Sequence, residues 1–414
     1  MNLSKRGARI PPSPIRKLAP FADQAKAQGV VVHHLNIGQP DVPTPAVFFD
    51  AVAHYTGGDF AVSAKLAHPG VKQVVVGYGH SAGTLQLREA MAGYYRRLGF
   101  DVGTEHVTVT TGGSEGIHFT LTALCDPGDE VVVFEPFYTN YSGFAVAAAV
   151  TLVPVRCPPE TGYHLPSREA VEAVITPRTR AILICSPNNP TGAVLTRAEV
   201  EMLAGIARDR GLFLVGDEAY REFIYGEVPH TSVLAMTDIA DRVVLIDSLS
   251  KRYSVCGARV GCVVTKNEAV GRAFLQLGQA RLCPPALEQA GAVALEALGP
   301  DYFTAVQQEY RRRRDATIAG LREIPGVSAR TPEGAFYTMA RLPVRDAERF
   351  ATFMLTDFRL EGETVMVAPG EGFYVTPGLG RDEVRIAYVL EVERLERAMR
   401  CLGAGLAAFK AREG

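Results

Sequence analysis

Short apolar runs alternate with helical patterns from about residue 105 to residue 265. Six of these runs are rich in Val, Ile and Leu, as is typical of strands that are covered on both faces. They are HVTVTT (106–111), EVVVFE (130–135), TRAILIC (179–185), LFLVGD (212–217), RVVLID (242–247) and RVGCVV (259–264). Because strands that alternate with helices form mainly parallel sheets, the pattern predicts an α/β protein. Its central sheet is expected to be mainly parallel and flanked by helices.

The pattern changes after Pro300. A charged helical stretch, DYFTAVQQEYRRRRDATIAGLREI, precedes shorter strand and helix signals that continue to the C-terminus. We interpret residues 300–414 as a smaller α/β domain, residues 46–299 as the large domain, and residues 1–45 as an N-terminal arm that contributes to the smaller one. The four arginines 311–314 spread around a helix axis, so a solvated face is favoured over a nucleic-acid patch.

Charge and composition narrow the class of partner. Lys and Arg number 43 against 45 Asp and Glu, so the net charge of −2 gives no general attraction to nucleic acid or anionic lipid. No apolar stretch is long enough for a membrane span and the N-terminus lacks a secretory core, which favours a cytoplasmic location without membrane contact. The seven cysteines are scattered without a C-x-x-C pair, which favours buried reduced thiols and indicates no metal site.

The segment SLSKRYSVCGARVG (248–261) follows directly on a predicted strand. A lysine just past a strand end, among Ser and Gly, can reach inward and form an imine with a carbonyl compound. Ser248 and Arg259 flank Lys251 and supply a hydroxyl and a fixed cation for a phosphate. The alternative is a basic loop that binds no ligand.

Two other strand ends carry groups of interest. In VTVTTGGSEGIHFTLTAL (107–124) a strand runs into two glycines and a helix, where free N–H groups form an anion site, although a tight turn explains the glycines equally well. Asp217 ends a very apolar strand and needs a buried cation or hydrogen-bond donor, because an unpaired buried carboxylate is costly. An ordinary helix cap is the alternative for Asp217.

These segments resemble the class I/II aminotransferases, enzymes of fold type I that depend on pyridoxal 5′-phosphate (PLP). The 248–261 segment matches the lysine signature of that family, and the resemblance extends from about residue 30 to residue 400. It implies that Lys251 carries PLP as a Schiff base and later moves a proton, while Ser248 and Arg259 bind the phosphate. The family's phosphate cup corresponds to Gly113, Ser114 and Glu115, which would act mainly through their backbone.

The resemblance also assigns groups around the PLP ring. Asp217 would pair with the ring nitrogen, and Tyr220 would contact the 3-oxygen. Asn189, in SPNNPTGAVL (186–195), would bond the same oxygen and help to bind substrate. Tyr138, in FEPFYTNY (134–141), would stack on the ring, with Tyr141 or Phe137 as alternatives.

Three further residues follow from the same resemblance. Arg385, in DEVRIAYVL (382–390), would grip the substrate α-carboxylate through two parallel hydrogen bonds, and Gly38, in LNIGQPDVPTP (35–45), would lie against that carboxylate. Tyr78, in GYGHSAGTLQLREAM (77–91), would reach the phosphate of a neighbouring subunit. A homodimer with shared active sites is the implied assembly.

The implied function is ping-pong transfer of an amino group between small molecules, an α-amino acid and a 2-oxo acid. Aspartate or a related amino acid is the candidate donor, and 2-oxoglutarate is the candidate acceptor. Arg281, in QARLCPPALEQ (279–289), or Arg252 would read a distal carboxylate, unless both lie at the surface or on the phosphate side. The alternatives are a PLP-dependent lyase or synthase on the same fold and, less favoured, a non-catalytic PLP-binding regulator.

Overall fold

A computed structural model describes residues 3–55 and 76–413. Its centre is a seven-stranded sheet in which one strand, Gly261–Val264, runs antiparallel to both neighbours and all other neighbouring pairs are parallel. In order across the sheet the strands are β2 (Val107–Thr110), β8 (Gly261–Val264), β7 (Val243–Ser248), β6 (Phe213–Asp217), β5 (Thr179–Cys185), β3 (Glu130–Glu135) and β4 (Thr151–Arg156). The predicted α/β class with a mainly parallel sheet is confirmed.

All six predicted strands belong to this sheet, and one further strand was missed. Among the described residues, strand β4, TLVPVR, pairs with β3 alone and forms one edge of the sheet. It contains Pro154, which interrupts an apolar run and is tolerated because an edge strand leaves one row of N–H groups unpaired.

Helices cover both faces of the sheet, as alternating side chains of β3 show. Val132 and Phe134 join the apolar core on one face, while Val131 and Val133 join the core on the other. The α-helices of the described residues are α1 (Ala19–Ala27), α2 (Ala46–Ala53), α3 (Leu85–Arg97), α4 (Gly112–Leu124), α5 (Asn140–Ala148), α6 (Arg168–Glu172), α7 (Arg197–Arg210), α8 (Leu249–Arg252), α9 (Glu268–Arg281), α10 (Ala286–Glu296), α11 (Pro300–Arg322), α12 (Ala347–Thr356) and α13 (Val392–Glu413). None of the helices in these ranges has the length and apolar character of a membrane span.

Two smaller sheets lie outside the central one. A four-stranded sheet has the order β12 (Ala368–Pro369), β13 (Glu383–Ala387), β10 (Tyr337–Arg341) and β9 (Ser328–Ala329), and a parallel pair joins β1 (Val31–His34) to β11 (Glu363–Met366). The pairing of β1 with β11 ties the N-terminal segment to the C-terminal part of the chain. The domain division near residues 45 and 300 stays a prediction. The pairing of β1 with β11 agrees with an N-terminal arm that contributes to the smaller domain.

The prediction that the arginine run forms a solvated face is wrong for one residue, Arg313. Arg313 is buried, and its guanidinium bonds Glu309, Asp41 and the carbonyl oxygen of Val389. Helix α11 packs against α13, so part of its arginine face meets protein instead of water. The sequence of the helix gave no sign of the distant partners Asp41 and Val389.

Candidate active site

Lys251 lies in the short helix α8, immediately beyond the carboxyl end of β7. The helix begins at Ser248, whose Oγ accepts a hydrogen bond from the Ser250 amide at 3.3 Å. The Lys251 Nζ donates to the Gly38 carbonyl oxygen at 2.8 Å and lies 3.5 Å from the Cys256 sulfur. Burial lowers the pKa of Lys251, which favours the neutral, nucleophilic amine.

Arg259 and the start of α4 converge beside this lysine. The guanidinium donates to the Cys256 carbonyl at 2.9 Å and to the Thr111 carbonyl at 3.4 Å. A Cβ on Gly112 would lie 2.5 Å from the Arg259 Nη2, so only glycine lets the guanidinium lie this close to the helix start. The first N–H groups of a helix have no partner within it, and here they adjoin a fixed cation. This corner is a basic pocket suited to a phosphate.

The predicted phosphate cup, Gly113, Ser114 and Glu115, forms the first turn of α4. A Cβ on Gly113 would lie 3.6 Å from the Ser248 Cβ, which brings the predicted hydroxyl to the same corner. Glu115 also has a role that the sequence did not indicate. Its carboxylate accepts from the Thr111 amide at 2.7 Å and pairs with Arg281 Nη1 at 2.8 Å.

Both arginines considered for a distal substrate carboxylate are therefore engaged elsewhere. Arg281 ends α9 and, besides Glu115, bonds the Ser81 carbonyl oxygen at 3.0 Å. Arg252 is buried and pairs with Asp247 at 2.6 Å. Of the alternatives left open by the sequence, the phosphate side describes Arg281, and each guanidinium already forms an ion pair with a carboxylate of this chain.

Asp217 ends β6 and is buried beside the same edge of the sheet. Its carboxylate accepts from the Tyr141 hydroxyl at 2.7 Å and from the Ala219 amide at 3.3 Å. Burial raises the pKa of Asp217 to about 6, although both hydrogen bonds oppose the rise. No described cation forms an ion pair with this carboxylate, so the site is suited to a positively charged N–H donor.

Tyr220 and Gly38 meet at a tyrosine that sequence reasoning missed. The Tyr220 hydroxyl lies 2.9 Å from the Tyr337 hydroxyl. A Cβ on Gly38 would lie 1.7 Å from that same Tyr337 oxygen, so any other residue at position 38 would displace it. Tyr337 starts β10, and its place in the site follows from long-range pairing that no local motif revealed.

Arg385 of β13 is the most completely buried cation of the site, with 1% of its surface exposed. Its Nη1 donates to Asn189 Oδ1 at 2.9 Å, its Nη2 donates to the Asn36 carbonyl oxygen, and its guanidinium carbon lies 4.4 Å from the centre of the Tyr337 ring. Its Nε has no partner in the described part of the chain. Burial lowers the pKa of Arg385, and an uncompensated buried guanidinium is a strong site for a carboxylate.

The three aromatic residues near Asp217 differ in environment. Tyr141 is buried and bonds Asp217, and Phe137 stacks on it with 6.0 Å between ring centres. Tyr138 is partly exposed, and its hydroxyl accepts from Asn140 Nδ2 at 2.7 Å. Stacking of Tyr138 on the cofactor stays a prediction.

The charges of the site fit PLP. Among the described residues, Lys251, Arg259 and Arg385 form no ion pair with a carboxylate, and Asp217 forms none with a cation. PLP carries a phosphate, a carbonyl that condenses with an amine, and a ring nitrogen that can be protonated. Its amino acid partner adds a carboxylate. Each unpaired group of the chain therefore has a complementary group on the cofactor or on the substrate.

Fold and site together define a PLP-dependent transferase, and comparison with known proteins gives the family. The chain belongs to the aminotransferase class I and II family, whose model matches residues 34–402. It is 34% identical to the arginine–pyruvate transaminase of Pseudomonas aeruginosa over 90% of this chain and 89% of that protein. It is 30% identical to a probable aspartate/prephenate aminotransferase of Aquifex aeolicus, over 96% and 97% of the two chains.

Solved structures agree with this assignment. The aspartate aminotransferase of Thermotoga maritima is similar with a TM-score of 0.85 and 29% identity, over 98% of this chain and 100% of that one. An aspartate aminotransferase of Thermus thermophilus is similar with a TM-score of 0.84 at the same identity and coverage. The protein is therefore a PLP-dependent aminotransferase, which confirms the family, fold, enzyme class and cofactor expected from the sequence.

Proposed function

We propose that this aminotransferase works at the carboxyl edge of its central sheet, through Lys251, Asp217, Arg259 and Arg385. The observation that supports this proposal is the charge pattern: three cations without a carboxylate partner surround one buried carboxylate without a cation. Burying these unpaired charges costs free energy in the isolated chain. The opposite charges of the cofactor and a substrate compensate that cost when they bind.

PLP, when bound, supplies an electron sink for the bond that breaks at the amino acid α-carbon. Lys251 holds the cofactor and, once released, removes the α-proton as a neutral amine, which its burial favours. Asp217 keeps a proton on the ring nitrogen, and Arg385 orients the substrate through its α-carboxylate. Since both substrates use one site, the first product leaves before the second substrate binds.

Further residues hold the cofactor and the substrate in this proposal. Ser248 and the first turn of α4, Gly113–Glu115, join Arg259 around the phosphate. Tyr220 and Asn189 bond the 3-oxygen, Tyr138 stacks on the ring, and Gly38 lies against the substrate carboxylate. A cytoplasmic location is also proposed, which the seven free cysteines, four of them buried, support because reduced thiols persist in that compartment.

The proposed donor is aspartate or a related amino acid, and the proposed acceptor is 2-oxoglutarate. Relatives that carry the name aspartate aminotransferase support this choice, for example the Streptomyces avermitilis protein at 32% identity. Because Arg252 and Arg281 are engaged, a distal carboxylate requires another cation. We assign this role to Arg16.

Arg16 lies in the N-terminal segment that passes beside the site. The carbonyl oxygen of its neighbour Ile15 accepts from Asn36 Nδ2 at 2.9 Å, and the Asn36 carbonyl oxygen accepts from Arg385. The Arg16 side chain is exposed and has no side-chain partner among residues 3–55 and 76–413. Burial raises the pKa of Tyr138, and the positive charges of Arg385, Arg259 and Arg16 oppose that rise. This shared influence on one side chain supports a position of Arg16 near the site.

Replacing Arg16 with methionine should raise KM for aspartate, glutamate and 2-oxoglutarate about tenfold, equivalent to about 1.4 kcal/mol for one lost charged contact. The KM for alanine should change little, because alanine has no distal carboxylate. Steady-state kinetics with a donor panel measures both. Arg9→Met, another exposed arginine of the N-terminal segment, is the matched control. Equal losses for every donor would exclude Arg16 as the specificity residue.

We further propose a homodimer with shared active sites. Tyr78 is 70% exposed in the single chain, as expected for a side chain that completes a neighbour's site. Mixing inactive Lys251→Ala protein with an inactive Tyr78→Phe variant should restore activity, because each hybrid dimer contains one site with both native residues. Sedimentation should show a dimer at assay concentration. A fully active monomer, or a mixture without restored activity, would contradict shared sites.

A further inference from the structure

A buried ion pair lies behind Lys251. Asp247 of β7 and Arg252 at the end of α8 are 1% and 3% exposed, and Arg252 Nη2 donates to Asp247 Oδ2 at 2.6 Å. Asp247 Oδ1 accepts from the Ser248 amide at 2.7 Å. One carboxylate therefore binds both ends of the five-residue segment 248–252, which contains Lys251.

Three tyrosines from neighbouring helices contact this ion pair. The Tyr95 hydroxyl donates to Asp247 Oδ2 at 2.8 Å, the Tyr94 ring centre lies 4.3 Å from the Arg252 guanidinium carbon, and the Tyr302 hydroxyl donates to the Arg252 carbonyl oxygen at 3.0 Å. The titratable and charged groups that face the pair from neighbouring elements are Tyr94 and Tyr95 of α3, Asp217 of β6, Arg221 and Glu222 after β6, Tyr253 after α8, Cys262 of β8 and Glu296 of α10. The pair is thus a fixed element of the protein interior.

Asp247 is also an electrostatic neighbour of Asp217. The two carboxylates lie on adjacent parallel strands, with Asp217 in register with Ile246. After burial itself, the negative charge of Asp247 contributes to raising the pKa of Asp217. The positive charge of Arg252 opposes this rise in the pKa of Asp217, because Arg252 forms an ion pair with Asp247.

We propose that Arg252 is a positioning residue with two effects: through Asp247 it fixes the segment that carries Lys251, and it compensates the charge of Asp247 beside the site. This inference rests on the proposed roles of Lys251 and Asp217. It explains why an arginine beside the cofactor lysine points away from the substrate and into the protein. An unpaired Asp247 would add negative potential at both functional groups.

The test uses the PLP-loaded enzyme and follows the absorbance of lysine-bound PLP as a function of pH. In Arg252→Met, uncompensated Asp247 stabilises the protonated form, so the pH midpoint should rise by about one unit, as for one charge acting over about 10 Å at an effective dielectric constant of about 20. Asp247→Asn leaves Arg252 uncompensated, so the midpoint should fall. The double variant loses both charges and should return close to the native midpoint.

Two controls make the outcome specific. Arg197→Met breaks an exposed ion pair with Glu201 and should leave the midpoint unchanged. Arg252→Lys keeps the charge but loses the planar guanidinium that lies against the Tyr94 ring, so it should shift the midpoint less than Arg252→Met and still lower kcat. If Arg252→Met does not fold, Asp247→Asn alone must lower the midpoint.

If the pH midpoint shifts in the same direction in both single variants, or does not shift in either, the proposed charge compensation is wrong. Absence of any lysine-bound PLP band in the native protein would instead contradict the proposed role of Lys251. The two failures are therefore distinguishable in one set of spectra.

Discussion

Replacing Lys251 with alanine should abolish the covalent bond between the protein and PLP that borohydride reduction makes permanent. It should also lower turnover by about 10⁵-fold, which corresponds to about 7 kcal/mol of activation barrier. Lys251 lies partly buried beside the phosphate corner and Arg385, and this burial lowers its pKa, so no other group of the described site supplies a neutral amine there. Peptide mapping after borohydride reduction locates the modified residue, and steady-state assays measure the turnover.

Lys26, an exposed lysine of α1 that pairs with Asp23, provides the control. Lys26→Ala should keep both the reducible adduct and the native rate. If Lys251→Ala protein still forms a reducible adduct at a different lysine, the assignment of the cofactor lysine is wrong.

Replacing Asp217 with asparagine should lower kcat by about 10³-fold or more, because each 1.36 kcal/mol of lost stabilisation is a factor of ten. Asparagine keeps the size of the side chain and the hydrogen bond with Tyr141 but provides no negative charge for the ring nitrogen. PLP should remain bound through Lys251 and the phosphate corner. A loss of less than tenfold with PLP bound would exclude the proposed pairing.

The same variant should be more stable than the native protein when both lack PLP. Burial raises the pKa of Asp217 to about 6 from an ordinary value of 3.8, so ionisation destabilises the fold as pH rises through that interval. Above pH 6 the full cost is present, up to about 3 kcal/mol, and asparagine avoids it. Urea unfolding should therefore favour Asp217→Asn at pH 8, with the difference shrinking toward pH 4. Lower stability at both pH values would indicate a structural residue.

The residues of the site that could be predicted from the sequence are those at the carboxyl ends of strands. Asp217 is the last residue of an apolar strand, and Lys251 and the glycines that start α4 lie just beyond such strands. The carboxyl ends of parallel strands meet at one edge of a sheet. Sequence patterns locate such ends well. The resemblance to a known family then supplied the partners, including Arg385 from the C-terminal part of the chain.

The missed residues depend on contacts between distant segments. Tyr337 and Asn36 belong to the site because β13 brings Arg385 to them, with Asn36 almost the whole length of the chain away from Arg385. The engagement of Arg281 by Glu115 has the same origin. A local pattern shows that an arginine is present, but its partner is fixed only by tertiary packing.

The most direct test of the account is a spectrum of the purified, PLP-loaded protein during addition of single amino acids without any 2-oxo acid. With a suitable donor, we expect the band of lysine-bound PLP to be replaced by that of pyridoxamine phosphate, with one 2-oxo acid released per site. Lys251→Ala should show no such conversion. Release of ammonia or pyruvate without pyridoxamine phosphate, or an unchanged spectrum with every amino acid, would contradict amino transfer at this site.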